Sequence, residues 1–196
     1  MVSPELARHL TETSRRLNRQ VGVLLGRDGN VRNVIVGNAH SLTLPDIGRL
    51  RGGVGRFRGL RLVHTHLKGE PLTRDDLNDL ALLRLDLVAA IEVLGDGLPG
   101  RIELAHLSPF KTAPLNPDDE AHDAEPFERI QAADVHQLDF DVEATMRALE
   151  DEFARVTSAA GETKKERALV IGITPEDEHF EEMLELVRSA GVAIAG

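Results

Sequence analysis

Apolar side chains recur along this chain at two spacings, and each change of spacing marks a new element. The chain opens on Ser3-Pro4-Glu5, where serine can cap, proline suits the first helical position and glutamate favours the positive end of the dipole. Leu6, Leu10 and Leu17 then fall roughly along one face, which predicts a helix. Gln20 to Gly26 (QVGVLLG) reads as a buried strand, Asp28-Gly29 as a tight turn, and Val31 to Val36 as the returning arm of a hairpin. A short helix is expected around Pro45-Asp46, and a Gly/Arg loop follows at 48–59.

Leu60 to His66 (LRLVHTH) is a strand ending on two histidines. After the loop LKGEPL, Thr73 is placed to cap a helix with Asp75 and Asp76 in its first turn and Leu77, Leu80, Ala81 and Leu83 at helical spacing. Strands are expected near Leu87–Leu94 and Arg101–Leu107, joined by the turn GDGLPG. This alternation predicts an α/β fold, a mixed sheet with flanking helices over residues 1–108. Residues 109–138 set Pro109, Pro114, Pro117 and Pro126 among acidic side chains and read as a linker. An acidic amphipathic helix and its connector occupy 139–166. From 167 to 196 a strand (ALVIGI), a helix and the start of another strand form a β-α-β unit that stops where a further helix is due, so the unit is expected to be incomplete.

Composition sharpens this picture in two places. With 41% hydrophobic residues the chain can bury a core, but its only aromatic side chains are six Phe, so the core must be aliphatic. The absence of Cys suits a reducing compartment, no apolar run approaches the ~20 residues of a membrane span, and no signal-peptide pattern opens the chain. A cytoplasmic protein is expected. The net charge of −10 hides a division, because residues 1–68 carry twelve basic and four acidic side chains. A polyanion contact at the basic end follows as an expectation.

The chemistry concentrates at His64-Thr65-His66. Histidines two apart on a strand point to one side, and an Asp in the first turn of the next helix could join them at a metal ion. HTHLKGEPLTRDDL, preceded by QVGVLLG and a hairpin, resembles the JAMM (MPN) metalloprotease pattern, whose two histidines, Ser and Asp match His64, His66, Thr73 and Asp76. The pattern's general-base Glu falls on Arg19, and its Pro after the second His is Leu67. Without that carboxylate, hydrolysis loses roughly 10²–10⁴-fold. The resemblance therefore implies a JAMM/MPN-like fold in which the pair is structural or vestigial rather than a working zinc centre. Stoichiometric zinc is not expected in protein purified without added metal.

A second resemblance covers more of the chain. RALVIGITPEDEHFEEMLELVRSAGVAIAG resembles the first β-α-β of the HflX-type GTPase N-terminal domain, and the segment from Leu17 to Val93 resembles an extension found ahead of it in some members. This implies a non-catalytic region of a GTPase that associates with the large ribosomal subunit. No G-x-x-x-x-G-K-[ST] phosphate loop occurs here, so GTP and magnesium are expected only in a domain outside this chain. Arg49, Arg51, Arg56, Arg58 and Arg61 form an acid-free run around Phe57 and are the candidate ribosomal RNA contacts, with a solvated loop as the plain alternative. Two other readings stand beside this one: a JAMM-type metal-dependent isopeptidase or peptidase using His64, His66 and Asp76, and an interaction module that binds a protein partner along a sheet edge.

Overall fold

The computed structural model describes residues 2–48, 57–108, 126–161, 167–168, 180, 183–184, 186–187 and 193–194. The chain divides into two compact units, Met1–Ala154 and Arg155–Gly196.

The first unit is built on a six-stranded mixed sheet in the order β2-β1-β3-β4-β5-β6. Helix α1 (Pro4–Leu17) precedes the hairpin β1 (Val21–Gly26) and β2 (Val31–Val36), and β3 (Leu60–His66) returns along the other edge of β1. Helix α2 (Arg74–Leu82) then crosses over so that β4 (Leu87–Val93) runs parallel to β3. Strands β5 (Pro99–Leu107) and β6 (Phe127–Ala132) complete the sheet, each antiparallel to its predecessor. The α/β mixed sheet with flanking helices is therefore as expected.

Every residue of β1 is buried, because both faces of the sheet are covered. On one face Ala7 and Leu10 of α1 meet Val23, Val63, Ala89, Ile91 and Leu104. On the other, Leu77 and Leu80 of α2, with Met146, Leu149 and Phe153, meet Leu24, Leu62, Val88 and Ala105. Met146, Leu149 and Phe153 belong to α3 (Val142–Gly161), whose final residues lie in the second unit.

Several expectations change. Leu17 is 46% exposed, and the buried stripe of α1 runs through Ala7, Leu10, Thr11 and Ser14 instead. Two polar residues fit that stripe because Ser14 Oγ donates to the Arg19 carbonyl and accepts from Thr65 Oγ1 on β3. No helix forms near Pro45-Asp46: residues 41–48 are irregular, with Leu42, Leu44 and Ile47 against the α2-side core. Proline disfavours helical backbone at the residue before it, Leu44.

Residues 126–138 are not linker. They form β6 and a 3-10 turn, Val135–Gln137, and Val135 and Leu138 enter the α1-side core. Residues 109–125 of the expected linker lie outside the described residues. The boundary expected after residue 108 accordingly moves past the start of α3.

In the second unit Arg167–Ala168 pair in parallel with Ala193–Ile194, and residues 180, 183–184 and 186–187 between them are helical. That is the expected β-α-β order; the remainder of 169–192 lies outside the described residues. No helix among the described residues is long and apolar enough to cross a membrane.

Candidate metal centre

The alternation of β3 sends Val63 and Thr65 toward α1 and His64 and His66 toward α2. Both imidazoles are buried, at 0% and 1% exposure. They meet edge to face, with 2.9 Å between their Nε2 atoms. Gly22 lies opposite His64 in the register, where a Cβ would come within 3.0 Å of the His64 Cβ and 2.8 Å of Leu42. Glycine fits there without displacing either neighbour, whereas an added Cβ would need the end of Leu42 and the His64 backbone to give way.

Asp76 reaches the pair from the first turn of α2. Thr73 caps that helix, and Asp76 Oδ2 accepts from both Thr73 N and Thr73 Oγ1 at 2.7 Å, a reciprocal capping box. The cap therefore fixes the carboxylate as well as the helix. Its other oxygen, Oδ1, lies 3.1 Å from His64 Nε2, and Oδ2 lies 3.7 Å from His66 Nε2.

The two imidazoles and the carboxylate each present one ligand atom within 4.8 Å of the others. The donor set suits zinc, which takes neutral imidazole nitrogen and carboxylate oxygen. His66 supports the fit further, since its Nδ1 lies 2.8 Å from the Glu70 carbonyl oxygen. A carbonyl can only accept, so the proton resides on Nδ1 and the Nε2 lone pair is left facing the cluster. His64 Nδ1 is buried with no hydrogen-bond partner among the described residues.

Electrostatics favour the same protonation. Burial, followed by the neighbouring His64, holds the His66 pKa below its ordinary value of 6.5. For Asp76 burial alone would raise the pKa, but hydrogen bonding and charge from His64, with the Thr73 hydroxyl and amide, outweigh it and keep the carboxylate ionised.

Sequence reasoning missed Glu103. Its backbone shares a row across the sheet with Ala90, His64 and Gly22, so its side chain projects to the histidine face. Glu103 Oε2 accepts from Leu72 N at 2.8 Å, and Oε1 lies 3.5 Å from Arg129. It thereby holds the loop that delivers Thr73 and Asp76. A buried-strand Glu in RIELAHL was the available signal.

Arg19, at the general-base position of the JAMM resemblance, is exposed and donates through Nε to the Gly37 carbonyl at 2.6 Å. Of the arginine run, Arg58 and Arg61 are among the described residues. Arg58 donates to the carbonyls of Leu83, Ile47 and Gly48, and Arg61 lies inside β3 at 4% exposure rather than in a loop. Arg49, Arg51 and Arg56 lie outside the described residues. No protein-family model, curated protein or solved structure matches the chain.

Proposed function

We propose that this chain is the non-catalytic N-terminal region of an HflX-like cytoplasmic GTPase that associates with the large ribosomal subunit. In this reading His64, His66 and Asp76 form a cation-binding knot that ties α2 to the sheet and not a hydrolytic centre. What supports the non-catalytic part is Arg19: the JAMM resemblance puts its general-base Glu at this position, where this chain has a permanently charged guanidinium bonded to the Gly37 carbonyl. Glu103 does not replace the base, because Leu72 N and Arg129 already engage its two oxygens. The ribosomal part rests on the order of the two HflX-like segments, and the parallel pairing of β7 (Arg167–Ala168) with β8 (Ala193–Ile194) is consistent with it.

Sedimentation of the purified chain with large ribosomal subunits across a salt titration tests this reading. Association that weakens with salt, and that is lost when Arg49, Arg51 and Arg56 become Glu, is the expected outcome. Salt-independent sedimentation, or none at low salt, refutes it.

The runner-up, a JAMM-type metal-dependent isopeptidase or peptidase, is favoured by one observation, the convergence of three ligand atoms with the His66 tautomer already set. A zinc ion held by His64, His66 and Asp76 would supply Lewis acidity and an acidified water. Cleavage of an isopeptide-linked or peptide substrate by zinc-loaded protein, lost in His64→Ala, would install this reading in place of the first.

A further inference from the structure

Arg61 is the second residue of β3, in register between Leu25 of β1 and Leu87 of β4, in the interior of the sheet. A guanidinium in such a position is ordinarily held by a carboxylate, because an unpaired buried charge is costly. Arg61 has no such partner among the described residues. One terminal nitrogen donates to the Gly26 carbonyl at 2.8 Å, and the buried Nε–H meets no acceptor. Asp86 is close enough to favour the charge, yet its oxygens are occupied by Arg27 and by Gly59 N.

Arg61 is also among the residues lining a cavity of about 690 Å³ between the β1–β2 turn, the start of β3 and the first turns of α3. Every other charged group on that wall is already engaged. Asp28 bonds Asn30 and Arg32, Asp141 caps the amide of Ala144, Glu143 pairs with Arg147, and Glu150 pairs with Arg27. Phe140, Val142 and Met146 add an apolar side to the cavity. An apolar wall beside a buried guanidinium whose Nε–H has no partner among the described residues is the composition of a small-molecule site.

We propose that this cavity takes a small molecule carrying a single oxyanion, a carboxylate or a phosphate group, with Arg61 as its buried counter-charge. The four acidic side chains around it outnumber the three arginines, which disfavours a polyanion and limits the ligand to one charged head set against Arg61, with its body on the apolar side.

Arginine side-chain ¹H–¹⁵N spectra of the full chain, titrated separately with inorganic phosphate and acetate against chloride at matched ionic strength, test this. A saturable shift of the Arg61 Nε–H is expected; phosphate alone producing it assigns a tetrahedral head, acetate alone a planar one. Shifts no larger than those with chloride, or shifts confined to Arg27 and Arg147, overturn the proposal. The Arg61→Met chain supplies a second arm. In anion-free buffer it is expected to melt no lower than the parent, because an unpaired buried charge has been removed, and its melting temperature should no longer respond to the anion. A variant less stable than its parent would show that the fold itself holds the guanidinium, and would overturn the proposal as well.

Discussion

Two unrelated local rules meet at His64, His66 and Asp76. The two-residue period of β3 puts the imidazoles on one side, and the cap of α2 puts a carboxylate three residues past Thr73. The chain titrated with zinc near neutral pH is expected to bind one equivalent. Replacing His64, His66 or Asp76 by Ala should weaken binding by more than the roughly 10–100-fold typical of outer-shell changes. Calorimetry showing equal affinity in all three variants would remove the site. Proton linkage supplies a second expectation. Both His66 and Asp76 have folded pKa values below their unfolded ones, so the unfolded chain binds more protons. Their contribution is complete above about the ordinary histidine value of 6.5 and is lost as pH falls, first through His66 and then, below the ordinary 3.8, through Asp76. In metal-free protein the urea midpoint should therefore fall steadily between neutral and acid pH; a midpoint that rises on acidification contradicts the assignment.

At the scale of elements, α2 is placed by its flanks as much as by its apolar face. Glu103 on β5 bonds the amide of Leu72, one residue before the cap, and Leu80 on the helix is fully buried. Glu103→Leu leaves that amide unsatisfied and should cost about 1–3 kcal/mol by chemical denaturation. It should also weaken zinc binding, whereas Leu80→Ala should cost about 2–5 kcal/mol with the site retained. Equal loss of zinc in both variants would mean that Glu103 only supports the fold. Asp86 marks another such joint. It is wholly buried at the start of β4 and accepts from Arg27 at 2.6 Å and from Gly59 N at 2.8 Å. Arg27→Met strands that carboxylate and should cost about 3 kcal/mol, discounted because Arg27 is itself 41% exposed.

For the molecule, the two apolar clusters define the folding unit. Both draw on residues beyond 108: Val135, Leu138 and Phe140 on the α1 face, and Met146, Leu149 and Phe153 on the α2 face. A chain ending at residue 108 removes the edge strand β6 and six core side chains, and should show no cooperative unfolding transition. A chain ending at Gly161 keeps both clusters and should retain one. Calorimetry on the two truncations checks the boundary, and a cooperative 1–108 fragment would restore the earlier division.

Local signals were strong enough to reveal much of this in advance. The spans of β1 to β5, the Thr73 cap and the grouping of His64, His66 and Asp76 follow from alternation, capping chemistry and short separations, which operate within a few residues. The strand β6 was hidden because it is an edge strand, with a half-exposed, polar sequence (FERIQA) whose definition is its pairing with β5. The acidic and proline-rich composition around it pointed to a linker instead. Arg61 shows the same limit from the other side. Five arginines close in sequence suggested one basic surface, yet a strand's interior takes Arg61 into the core and carbonyls at 47, 48 and 83 take up Arg58. Charge and period are properties of a sequence, and they determined the elements and the ligand types. Which charges remain exposed, which edge a polar strand joins and which carboxylate holds a loop depend on partners ten or more residues away, and only the tertiary structure decided them.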